Sequence, residues 1–204
     1  MQKMLLTTAI RPMSSLTDLF DQKFGITYQN TLTFEDDAYL EVIKAKCQKM
    51  LRKDDVKAEN NWFLALYEEE FRKKLSPKIS LRWINHRLGY GIYAIETIPA
   101  MTYVGEYTGL VRKRKGGRDR FNDYAFGYTI ARKNTRFMID AKEQGNLMRF
   151  INHSDEPNVT SHWLIVDDLC HMAFFTNRAI PAGHQLTYDY GPYYWRSRSD
   201  PKLI

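Results

Sequence analysis

A chain of 204 residues with 44% hydrophobic and 26% charged residues has the make-up of an ordinary globular protein, with room for one elaborated domain or a domain plus an extension. Its two cysteines, Cys47 and Cys170, belong to no CxxC pair, which excludes a disulfide framework and a cysteine-built zinc cluster. No stretch approaches the roughly 18 apolar residues of a membrane span, and the mildly apolar start at residues 1–10 is too short for a secretory core, so a soluble intracellular protein is expected.

In chain order, residues 1–78 read as a helical region. Ser14-Ser15 suits the cap of a short helix carrying Leu16, Leu19 and Phe20. Residues 34–51 place apolar side chains at 34, 38, 42, 43, 47, 50 and 51, one face of a helix. Phe63, Tyr67, Phe71 and Leu75 recur every four residues until Ser76-Pro77 stops the run. These stripes read as packing faces, not as a cofactor box. After Pro77 the texture turns to short β-rich runs at 79–84, 91–95, 102–107, 125–131, 137–139, 164–166, 172–176 and 185–188. Such irregularly connected strands point to a β-leaning α+β domain over 79–196, with a tail at 197–204. The four histidines at 86, 162, 171 and 184 read as surface or satisfied core residues, and Asp167-Asp168 near His171 as a solvated turn.

Four blocks carry chemistry: Leu88-Gly89-Tyr90-Gly91, Glu106-Tyr107-Thr108-Gly109, Arg149-Phe150-Ile151-Asn152-His153-Ser154 and Leu186-Thr187-Tyr188-Asp189-Tyr190-Gly191. Singly, each has a bland reading: a Tyr-x-Tyr is usually strand packing, and an Asn-His-Ser usually a capped turn. Their joint order and spacing over residues 80–195 resemble the SET-domain protein lysine methyltransferases. The resemblance is to the compact bacterial and viral type, because Asp155 stands where many members place a zinc-binding cysteine.

The resemblance implies a SET fold with a knotted C-terminal segment and S-adenosylmethionine as cofactor. It assigns cofactor contacts to Leu88, Gly89, Tyr90, Tyr124, Arg149, Asn152, His153 and Tyr194. It makes Tyr190 the catalytic tyrosine, Tyr107 a wall of the lysine passage, and Tyr188 the residue that tunes methylation toward mono- or dimethyl products. No metal is expected. Without zinc, packing of Tyr193, Tyr194 and Trp195 must hold the C-terminal lid. The implied substrate is a lysine of a histone or histone-like protein; the alternatives are a non-histone target, or an inactive SET-like adaptor for chromatin or nucleic acid. The net charge of +6 and the run from Arg112 to Arg120 suit an acidic surface or nucleic acid as well as a solvated loop. Cytoplasm or nucleus is the expected compartment; a secreted effector working in a host nucleus is the bacterial variant of that expectation.

Overall fold

The computed structural model describes residues 15–196 and Arg198; the readings at residues 1–14, including Ser14 as a cap, and the rest of the tail lie outside the described residues. Ser15 caps α1 (Leu16–Leu19) by accepting the Asp18 N–H at 3.2 Å. The helix widens into one π turn at Phe20–Phe24, where Phe20 is fully buried. Gly25, at φ 64°, reverses the chain, a conformation that costs glycine little. Two short strands follow, β1 (Thr27–Tyr28) and β2 (Thr33–Phe34). Phe34, expected in a helix, pairs instead in parallel with Val111, and Asp36 caps the helix that starts after it.

That helix, α2 (Asp37–Leu51), buries Ile43 and Cys47, while Val42 faces solvent. The next, α3 (Asp54–Lys73), buries Val56, Asn60, Tyr67 and Phe71 on one face. Lys74 adopts a left-handed conformation at φ 53° and ends the helix, so Leu75 falls off the stripe and is 49% exposed. Asn60 occupies a core-facing position because its side-chain amide forms two hydrogen bonds with the backbone of Ile165, at 2.8 and 3.0 Å.

The strands then come in quick succession: β3 (Ile79–Asn85), β4 (Gly89–Ala94), β5 (Tyr103–Glu106), β6 (Leu110–Lys113), β7 (Ala125–Ile130) and β8 (Lys133–Asp140). After β9 (Gln144–Gly145) and a 3-10 turn at Leu147–Phe150 come β10 (Asn152–His153), β11 (Val159–Val166), β12 (Leu169–Thr176) and β13 (Thr187–Tyr188), before the short α4 (Pro192–Trp195). They form small sheets: β3–β4; β11–β12–β5; β2–β6–β8–β7; and the parallel pairs β1–β9 and β10–β13. Two hairpins close through paired positive-φ residues, Ala131-Arg132 and Asp167-Asp168, the backbone that two-residue turns between twisted strands require. The Asp167 turn is further held by Arg72 at 3.0 Å.

Alternation along β12 explains the packing. Met172 and Phe174 join the larger core with Phe20, Ile43 and Val56, whereas Ala173 and Phe175 turn to Tyr67 and Phe71 of α3. The sheet is thus covered on both faces, and each buried Phe contributes roughly 1.5–3 kcal/mol. No helix among the described residues is long and apolar enough to cross a membrane.

The segment read as a basic loop needs correction. It opens on strand β6, and Arg112 is only 7% exposed, gripped by Asp119 at 2.6 Å and Asp140 at 2.7 Å. Its charge is spent on this internal bridge, so only the remainder, such as Arg114 and Arg118, lies on the surface. Gly109 leads into β6 where no side chain fits: an added Cβ sits 2.5 Å from the Asp140 carbonyl oxygen, which is backbone and cannot swing aside. Gly109→Ala is expected to cost about 1–3 kcal/mol, read as a lower thermal midpoint. A melt that matches the unaltered chain removes this steric account.

Candidate active site

Parallel pairing of β10 with β13 sets Asn152 opposite Thr187 and His153 opposite Tyr188. Asn158 reinforces the join, donating to Gln185 O at 2.8 Å and accepting the Thr187 N–H at 2.9 Å. Two distant blocks of sequence thereby become one unit. Tyr190 is fixed at both ends: its N–H donates to His153 Nδ1 at 3.2 Å and its hydroxyl donates to Ile151 O at 3.0 Å. Since Nδ1 accepts, the ring proton belongs on Nε2, which lies 3.2 Å from Asp155 Oδ1.

The Leu88–Gly91 turn is built by Asn85, whose Oδ1 accepts the Arg87 and Leu88 N–H groups. Gly89 lies at φ 69° in this turn. Asn152 Nδ2 donates to Tyr90 O at 3.0 Å and ties the turn to β10. Arg149 comes from the 3-10 turn, which Asn146 caps by accepting the Met148 N–H at 3.1 Å. Its guanidinium donates to Ala141 O at 2.8 Å and Lys142 O at 3.2 Å, and lies 3.6 Å from the centre of the Tyr124 ring. The ring face offsets part of what burial, which lowers the arginine's pKa, costs the cation.

Behind the site lies a buried charge cluster. The Glu106 side chain is 1% exposed and meets His171 Nδ1 at 2.6 Å and Lys74 Nζ at 2.7 Å. Burial alone raises a carboxyl pKa, but His171 and Lys74 overcome it and hold Glu106 below its ordinary value. The Glu106 carbonyl accepts from Asn146 Nδ2 at 2.8 Å, linking the strand before Tyr107 to the turn of Arg149.

Two clefts meet at the aromatic cluster. The first, about 1010 Å³, is lined by Leu88, Gly89, Tyr90, Tyr124, Arg149, Asn152, His153 and Tyr194, with Tyr190. The second, about 710 Å³, is lined by Tyr107, Tyr188, Tyr190 and Tyr194. Tyr190 and Tyr194 therefore belong to both. Tyr190 lies 4.7 Å from Tyr188 and 4.6 Å from Tyr194, ring centre to ring centre, while Tyr107 donates to Tyr124 O at 2.8 Å. Burial pushes the phenols of Tyr107, Tyr188 and Tyr190 far up, and that of Tyr194, beside Asp123, to about 12. All four stay neutral near pH 7, so they orient partners by hydrogen bonds and do not act as bases.

All eleven residues singled out from the sequence thus line one cleft or the other. Of the three lid aromatics, Tyr194 and Trp195 pack against Tyr190, but Tyr193 is 69% exposed and contributes little to holding the segment. Sequence reasoning missed Phe24, Gly25 and Ile26, which wall the first cleft, and Asp123, which accepts from Tyr194 Oη at 3.2 Å. Asp123 carries no local signal. Phe24 had one, its spacing of four residues from Phe20, which the reading of a short helix at Leu16, Leu19 and Phe20 did not extend to.

Comparison with known proteins places the chain in a family. The family model for the SET domain matches residues 89–191. Human histone-lysine N-methyltransferase SETD2 is 37% identical over 112 residues, covering 52% of this chain and 4% of its own length. The H3 lysine-36 specific histone-lysine N-methyltransferase of Saccharomyces cerevisiae is 35% identical over 127 residues, covering 60% of this chain and 17% of its own. The match therefore spans only a small part of these curated relatives. Among solved structures, a humanized mutant of the Chaetomium thermophilum Polycomb Repressive Complex 2, bound to an inhibitor, superposes with a TM-score of 0.51 at 27% identity, covering 59% of this chain and 16% of that one. A ctPRC2 in an autoinhibited conformation bound to S-adenosylmethionine gives 0.50 at 26% identity with the same coverage.

Proposed function

The chain belongs to the SET domain family, and on that premise we propose that it is a protein-lysine N-methyltransferase using S-adenosylmethionine. The observation that carries the reading is the pair of clefts sharing Tyr190 and Tyr194, one suited to a methyl donor and the other to a lysine side chain. The first cleft fits the donor: it has aromatic walls at Tyr90, Tyr124 and Tyr194, and the indole Nε1 of Trp195 is buried in its lining without a partner among the described residues. A bound neighbour, the ctPRC2 structure with S-adenosylmethionine, supports the same assignment. When bound, the donor supplies a methyl group on a positive sulfonium.

The chain's own residues do the rest. Free lysine has a pKa of about 10.4, and an apolar aromatic passage disfavours its ammonium form, so the amine sheds its proton to water before attack. Tyr107, Tyr188 and Tyr190, all neutral, then hold the amine in line with the methyl group. Asn152 and His153 keep the donor turn and Tyr190 in register through the hydrogen bonds described above.

We take the substrate to be a histone or histone-like lysine, because the relatives are named as histone-lysine methyltransferases. Incubation with labelled donor and a histone mixture, followed by mapping of the labelled residue, tests this; label appearing only in non-histone proteins shifts the substrate to another class. For product preference, the Tyr188 hydroxyl has no hydrogen-bond partner among the described residues, and its ring stacks 6.0 Å from Phe126 in the second cleft. That oxygen holds the amine or a water and takes the room a third methyl needs. Tyr188→Phe is expected to move products from mono- and dimethyl toward trimethyl lysine by mass spectrometry. An unchanged product distribution removes Tyr188 from this role.

A further inference from the structure

The SET match begins at residue 89, yet one wall of the first cleft comes from far ahead of it. Phe24, Gly25 and Ile26 line that cleft beside Tyr90, Arg149 and Asn152. We infer that the Phe20–Ile26 turn is a dedicated wall of the methyl-donor site, with Phe24 offering the donor a flat apolar face; this rests on the donor-site reading above. The two phenylalanines of the turn divide the labour. Phe20 is fully buried and anchors the turn, whereas Phe24 is half-buried and keeps part of its ring open to the cleft. The Phe24 ring sits edge-on to Tyr90 at 5.1 Å and lies 5.0 Å from Phe150, the residue after Arg149.

The turn is fastened to the site's own framework. Thr27 N–H donates to Glu143 O at 3.0 Å and Gln29 N–H to Gly145 O at 2.8 Å, the pairing of β1 with β9. Thr108 Oγ1 donates to Gln29 O at 2.6 Å, one residue beyond Tyr107. The strand so held leads directly into Asn146, the cap of the Arg149 turn. A π turn closed by a left-handed glycine is an uncommon device, and here it swings the chain from the Phe20 anchor to the cleft wall within a few residues.

The test is the dissociation constant of S-adenosylhomocysteine, the demethylated donor, measured by calorimetry on the full chain. Phe24→Ala is expected to raise Kd about 10-fold, with the KM for a histone peptide unchanged. Phe24→Leu keeps apolar contact with Phe150 but removes the flat ring, and guards against a variant that fails to fold; its Kd is expected to rise by about threefold or more. Adding S-adenosylhomocysteine to the unaltered chain should also slow amide exchange over residues 20–28. Both variants binding within twofold of the unaltered chain, or no slowing of exchange, overturns the inference. If the unaltered chain fails to bind S-adenosylhomocysteine at all, the donor-site reading itself falls, and this wall with it.

Discussion

Replacing Tyr190 with phenylalanine is expected to cut methyl transfer by about 100-fold, in the range seen when one preorganised hydrogen-bonding group is removed from an active site. The ring contacts with Tyr188, Tyr194 and Trp195 survive the change, at 4.7, 4.6 and 6.2 Å. What disappears is one oxygen. Its hydrogen is committed to Ile151 O, which leaves the lone pairs to accept from the incoming amine and so aim the nitrogen's own lone pair at the methyl group. Burial raises the phenol far above its usual range, so the group stays neutral throughout the working pH range. The loss should therefore fall on kcat, with S-adenosylhomocysteine affinity and thermal midpoint little changed. A variant turning over within threefold of the unaltered chain would show that Tyr190 is only a wall.

Glu106→Gln is expected to destabilise the fold by about 3 kcal/mol, the low end for breaking a buried ion pair, because Lys74 is still 26% exposed and recovers some hydration. For a chain of this size that lowers the thermal midpoint by roughly 6–12 °C. The change also has a pH signature. The folded carboxyl lies below its ordinary value of 4.5, so the folded state binds fewer protons than the unfolded chain near that pH. The stabilisation is complete above this value and is lost as pH falls through it toward the folded pKa. Melts of the unaltered chain should thus drop by more than those of Glu106→Gln as pH is taken from above 4.5 to below it. Parallel curves for the two proteins would remove Glu106 as a source of the acid sensitivity.

The motif blocks stand out in the sequence where several short strands do not, for a physical reason. Tyr188, Tyr190, Asn152 and His153 form short, dense patterns whose side-chain identities are set by the site itself. Strand β6 escaped notice because Arg112 and Lys113 look like loop residues, and only the carboxylates of Asp119 and Asp140, distant or facing in space, make a buried arginine tolerable. The two-residue strands β1, β2, β9 and β10 have no local signature, since their pairing partners lie tens of residues away. Helix α3 was visible in its fourfold spacing, but its end was misjudged: Lys74, not Ser76-Pro77, breaks the run by entering the left-handed region. Glu106 showed no periodicity or motif beyond its place beside Tyr107, and its importance rests on Lys74 and His171 arriving from separate elements.

Asn60 gives β11 a property that its own sequence lacks. That strand ends the β11–β12–β5 sheet, and its outward backbone groups at Ile165 are already satisfied by the asparagine amide. A stray strand from a neighbouring molecule finds no open template there, so a helix side chain guards this border against edge-to-edge self-assembly.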